Sequence, residues 1–80
     1  MDQIILKLIR NATEIQFFFG KPISLSLKSY REEIDIYFKD FSFRITKDCK
    51  DNPLVQTMRT EEVIVLYSDK NSEILQRILN

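Results

Sequence analysis

Histidine, cysteine and paired carboxylates carry most of the proton-transfer, nucleophilic and metal-binding chemistry of proteins. This chain has no His, which removes imidazole acid–base pairs, imidazole metal sites and a charge switch near neutral pH. Cys49 is the single thiol. Lys47 and Lys50 would favour its thiolate at close range, but no imidazole base and no resolving thiol accompany it, so it reads as an exposed loop thiol. A lone Cys also excludes an intrachain disulfide framework. Carboxylates stand side by side at Glu32 and Glu33 and at Glu61 and Glu62, yet neighbours on a strand face opposite ways and share no proton. Asp48 and Asp51 lack the ligand density and the glycine of a calcium loop. The single Gly leaves no phosphate-cradling loop. Met1-Asp2-Gln3 lacks the positive start of a secretory leader, so none is expected, and the match of Asn11-Ala12-Thr13 to a glycosylation acceptor is read as chance. No catalytic residue, metal site or cofactor is expected.

What remains is recognition chemistry, and it depends on which side chains the elements bring together. The 80 residues allow one domain, spanning 1–80, with 12 cationic and 12 acidic side chains and zero net charge. Neutrality argues against a general nucleic-acid binder, which needs a basic footprint. At 44% apolar and 30% charged residues, the composition is that of an ordinary folded domain. Ile, Lys, Asn and Phe are frequent and Ala and Gly rare, a bias that points to an A+T-rich bacterial gene. No stretch approaches the roughly 20 apolar residues of a membrane span.

The spacing of Ile4, Ile5, Leu8, Ile9 and Ala12 predicts a helix over Asp2 to Ala12, with Asp2 suited to its first turn. Period-two alternation follows in Ile15-Phe17-Phe19, Ile23-Leu25-Leu27, Ile34-Ile36-Phe38 and Phe41-Phe43-Ile45, and short links between the runs predict hairpins. Pairing Phe19 with Ile23, Leu27 with Ile34 and Phe38 with Phe41 places all twelve of these apolar residues on one face. A slip of one residue in any hairpin would turn a whole set to water. The same register sets Lys28 opposite Glu33 and Asp35 opposite Arg44, as favourable cross-strand pairs. After a polar loop over 47–52, Pro53 is suited to the first position of a short helix through Met58. Glu61 to Tyr67 reads as a fifth strand, apolar on both faces. A last helix over Ser72 to Leu79 carries Ile74, Leu75, Ile78 and Leu79. The expected fold is α+β: a two-layer sandwich in which a four-stranded antiparallel meander plus a fifth strand is covered on one face by N- and C-terminal helices.

On this frame the second sheet face carries the candidate partner-binding residues Gln16, Phe18, Glu33, Asp35, Tyr37 and Arg44. Two aromatics among small hydroxyls with a charged pair alongside suit a protein contact. Phe18 is the one apolar side chain this register forces onto the polar face. The expected function is that of a small cytoplasmic binding protein, not an enzyme, that neutralises a larger protein such as a toxin or nuclease by covering its active site. In general character it resembles immunity proteins, antitoxins and phage-encoded inhibitors, with no family motif to quote. Acidic groups at Glu33, Asp35, Glu61 and Glu62 would then face a basic cleft. Two alternatives use other residues: base stacking on Phe18 and Tyr37 with Arg44 and Lys28 on phosphate, or a His-free ribonuclease built on Tyr30, Arg31 and Glu32. The doubly apolar fifth strand leaves a homodimer open.

Overall fold

The computed structural model describes residues 2–59, 65–66 and 70–80. The chain is α+β with an antiparallel sheet. Helix α1 covers Asp2–Arg10, α2 Ala12–Phe19 and α3 Lys70–Leu79. The strands are β1 Ser24–Lys28, β2 Glu33–Tyr37, β3 Phe41–Lys47 and β4 Pro53–Arg59, and a two-residue β5, Val65–Leu66, pairs with β4 at Thr57 and Met58. Neighbours in sequence are neighbours in the sheet.

The two inner hairpins stand in the expected register. Leu25 faces Ile36 and Leu27 faces Ile34, while Ile36 faces Phe43 and Ile34 faces Ile45. The β2–β3 link is tight, with Phe38 N donating to Phe41 O at 2.8 Å and the two rings stacked at 5.0 Å.

Two elements differ from expectation. The segment read as a first strand, Ile15-Phe17-Phe19, is helical. Its apolar residues satisfy two periods at once, and burial decides between them. Ile4, Leu8, Ile15 and Phe19 make one continuous helical stripe through α1 and α2, with Ile4, Leu8 and Ile15 in the core. Phe19 packs its ring 4.9 Å from Phe43. Phe17, inward in the strand reading, is 83% exposed. Asn11 only dents the helical path: its N–H still reaches Lys7 O at 3.0 Å, and Ile15 N reaches Asn11 O at 3.0 Å. Gly20, at φ 83°, ends α2 in a conformation that L side chains rarely adopt.

The segment read as a short helix from Pro53 is β4, paired along its length with β3 from Lys47↔Pro53 to Phe41↔Arg59. Val55 and Thr57 turn into the core at alternate positions, and proline is tolerated as the first residue of a strand. The β4 backbone is tied to α3 through Gln76, whose Oε1 accepts from Val55 N at 2.9 Å and whose Nε2 donates to Pro53 O at 2.5 Å. A side-chain amide thus stands in for a neighbouring strand.

The core gathers Ile4, Leu8 and Ile15 from α1 and α2, Leu75 and Leu79 from α3, and Ile34, Ile36, Phe43, Ile45 and Val55 from the sheet. The last helix buries Leu75 and Leu79 of the stripe expected of it, leaves Ile74 and Ile78 half-buried, and begins two residues earlier than predicted, at Lys70. Of the expected fifth strand, Val65–Leu66 is within the described residues, and Glu61 to Ile64 and Tyr67 lie outside them.

Candidate functional site

Antiparallel pairing and the two-residue period of β2 put Glu33, Asp35 and Tyr37 on the sheet face away from Ile34 and Ile36. The register adds cross-strand partners on that same face. Lys28 pairs with Glu33, Ser26 with Asp35 and Ser24 with Tyr37. Asp35 pairs with Arg44 and Tyr37 with Ser42, and Arg44 then pairs with Gln56 and Ser42 with Met58.

These positions become a network of charges. Arg44 Nε donates to Asp35 Oδ1 at 3.1 Å and Arg44 Nη2 donates to Asp35 Oδ2 at 3.4 Å. The Tyr37 hydroxyl donates to the same Oδ2 at 3.4 Å. Lys28 Nζ stands 3.5 Å from Glu33 Oε2 and 3.6 Å from Asp35 Oδ2, and Arg44 Nε is 3.4 Å from Glu33 Oε2. Two cations therefore sit over two carboxylates. The carboxylates lie beneath, with side chains 10% and 3% exposed for Glu33 and Asp35, against 30% and 29% for Lys28 and Arg44. The hydrogen bond from Arg44 to Asp35 raises the guanidinium pKa further, against a smaller desolvation that lowers it. Glu33 Oε2 is buried and accepts no hydrogen bond among the described residues; the two cations hold it by charge alone.

Four of the six residues singled out from sequence thus meet: Glu33, Asp35, Tyr37 and Arg44. The other two lie elsewhere, because α2 is a helix. Gln16 lines a groove of about 200 Å³ with Leu8, Ile9, Ala12, Pro22 and Leu25. Phe18 lines a separate concavity between α2 and α3, beside Glu14, Lys70 and Arg77. Helical geometry removes Phe18 from the polar face, and the paired aromatic platform expected for base stacking is reduced there to Tyr37. Lys28, read from sequence as a cross-strand partner of Glu33 and as a phosphate contact in the nucleic-acid alternative, is a full member of the network. Glu61 and Glu62 lie outside the described residues.

The hairpin-tip residues Tyr30, Arg31 and Glu32 are dispersed into other roles. The Arg31 guanidinium lies over the Tyr30 ring at 5.3 Å. Glu32, left-handed at φ 51°, pairs with Lys47 at 3.2 Å. Cys49 is exposed, and the Lys47 ammonium beside it in sequence is taken by Glu32 and Asp51. Among the described residues no group of His, Cys, Asp and Glu is placed to hold a metal ion, and no helix is long and apolar enough to cross a membrane. No family model, curated protein or solved structure matches the chain.

Proposed function

We propose that the chain is a small cytoplasmic binding protein that neutralises a larger protein by covering its active site, in the manner of immunity proteins, antitoxins and phage inhibitors. The contact surface is the sheet face of Lys28, Glu33, Asp35, Tyr37 and Arg44, in a two-layer arrangement whose helices occupy the opposite side. The single observation that carries the reading is the locked network on that face. Tyr and Arg are the side chains that most often dominate protein contacts. Here both are held in place by one buried carboxylate before any partner arrives, so little rotamer freedom is left to lose on docking. Gln56 and Met58 continue the face across β4, adding an amide and one apolar side chain beside the charged centre.

The arrangement refines the expected electrostatics. Glu33 and Asp35 are already neutralised from above, so the charge offered outward is that of Lys28 and Arg44. The complementary surface is one of carboxylates and backbone carbonyls rather than a basic cleft. Catalysis is disfavoured by the same closure, because the carboxylates of the cluster are engaged with cations.

The reading is tested by capture of partners from native cells with the wild-type chain, Tyr37→Ala, Arg44→Ala and Phe18→Asp as baits. A captured protein that is inhibited by the purified wild-type chain, is lost with Tyr37→Ala and Arg44→Ala, and is kept with Phe18→Asp supports it. Loss with Phe18→Asp and retention with the other two would move the contact to the α2–α3 side.

A further inference from the structure

We propose that β1 is the seam of a homodimer, in which two copies pair their β1 strands antiparallel about a two-fold axis at Ser26 and extend one sheet through both. The inference is independent of the partner-binding reading, since it uses the sheet edge rather than the sheet face.

Among the described residues β1 pairs with β2 on one side only and begins the sheet order, so alternate N–H and C=O groups along Ser24–Lys28 point outward. Natural edges of this kind are guarded by a charge, a proline or a bulge. Pro22 lies before the strand, and the one charge within it, Lys28, is drawn back onto its own sheet by Glu33 and Asp35. The guard is thereby turned aside. Beside the edge, Ile23, Leu25 and Leu27 are 70%, 59% and 49% exposed, although their register places them on the face that carries the core. Leu25 joins Ile9 along the groove between α1, α2 and β1.

The occupant that fits is a second copy, because the strand is self-complementary. Read antiparallel about Ser26, the order Ser24-Leu25-Ser26-Leu27-Lys28 sets Leu25 against Leu27 of the partner subunit and Leu27 against Leu25 of the partner subunit. Lys28 then meets Ser24 of the partner subunit, and no like charges face each other across the seam. A two-fold axis perpendicular to the sheet keeps every apolar side chain on the helix side, and any register displaced by an odd number of residues would set Leu against Ser. Leu25 and Leu27 on the strand, with Ile9 and Ile23 beside them, supply exposed apolar side chains for the centre of such an interface. Zero net charge leaves no overall repulsion between copies.

The test is the mass in solution as a function of concentration, with two kinds of variant. Wild type is expected to reach twice 9.6 kDa, and Leu25→Lys, at an exposed position, to stay at the monomer mass with an unchanged circular dichroism spectrum. In a Cys49→Ser background, Ser26→Cys lies on the axis and is expected to form a disulfide-linked dimer with diamide, whereas Ser24→Cys, paired with Lys28 of the partner subunit, is not. A wild type that stays monomeric up to its solubility limit overturns the proposal. So does a dimer that survives Leu25→Lys and cross-links through Ser24→Cys in preference to Ser26→Cys.

Discussion

Asp35 is the residue on which the polar face turns. It accepts from Arg44 twice and from Tyr37 once, and lies within ion-pair distance of Lys28. Removing one member of a buried ion pair ordinarily costs about 3–5 kcal/mol. Here the cations are nearly a third exposed and Glu33 stays to share them, so Asp35→Ala is expected to cost roughly 1–3 kcal/mol. Urea unfolding measures this. A midpoint equal to that of the wild type would mean that the carboxylate is not part of the stabilising network. The residues of this network were legible in the sequence because cross-strand charge pairs follow directly from register: Lys28 with Glu33 and Asp35 with Arg44 need only hairpins of the right length. Which charge would end up outermost was not legible. It depends on side-chain length, since long Lys and Arg stems reach over short Asp and Glu.

Among the elements, the inner hairpins were readable and their flanks were not. β1 to β3 alternate cleanly and are joined by short links, so one register satisfies every apolar position. α2 was not readable from local pattern, because Ile15, Phe17 and Phe19 fit period two while Ile15 and Phe19 also continue the Ile4–Leu8 stripe, and only packing separates the two. β4 was hidden because Leu54 and Met58 are apolar on the polar side and Thr57 is polar in the core. The Gln76 clamp on β4 had no sequence signal at all. Gln76→Ala strands the Val55 N–H and the Pro53 carbonyl, and is expected to cost about 1–3 kcal/mol. Proton exchange of the Val55 amide, faster than in wild type, is the accompanying local signature; unchanged exchange would show that the amide has another acceptor.

The β3–β4 loop is a second element with a stated chemistry. Asp48 Oδ1 accepts from Lys50 N at 2.8 Å and from Asn52 N at 2.9 Å. The backbone hydrogen bond from Asn52 does most to hold the Asp48 carboxyl below the ordinary carboxylate range; desolvation opposes it, and the Lys50 N–H and the Asn52 side chain add to the lowering. A lowered pKa in the folded state means that this contribution is present above the ordinary range and is lost as pH falls through the lowered value. Lys47 behaves oppositely. Its hydrogen bonds to Glu32 and Asp51 raise it, so its contribution holds below the ordinary Lys range and is lost as pH rises through the raised value. Amide exchange at Lys50 and Asn52 in acid is therefore expected to rise above the intrinsic trend in wild type and to show no such step in Asp48→Ala. A step of equal size in both chains would assign it to another group.

At the scale of the whole molecule, a domain of 80 residues has a thin stability margin, yet it leaves Ile23, Leu25 and Leu27 in water on one side and holds two neutralised carboxylates on another. Residues of all three helices share the core with Ile34, Ile36, Phe43 and Ile45 of the sheet, while the charge network lies on the alternate positions of β2 and β3. Such a division suits a protein that works by contact. The most direct measurement is hydroxyl-radical footprinting of the chain, free and bound to its captured partner. Protection of Tyr37 and Met58 with Tyr30 unchanged is the predicted result. Protection centred on Tyr30 or Phe17, with Tyr37 and Met58 as reactive as in the free chain, would contradict the assignment of the sheet face as the contact surface.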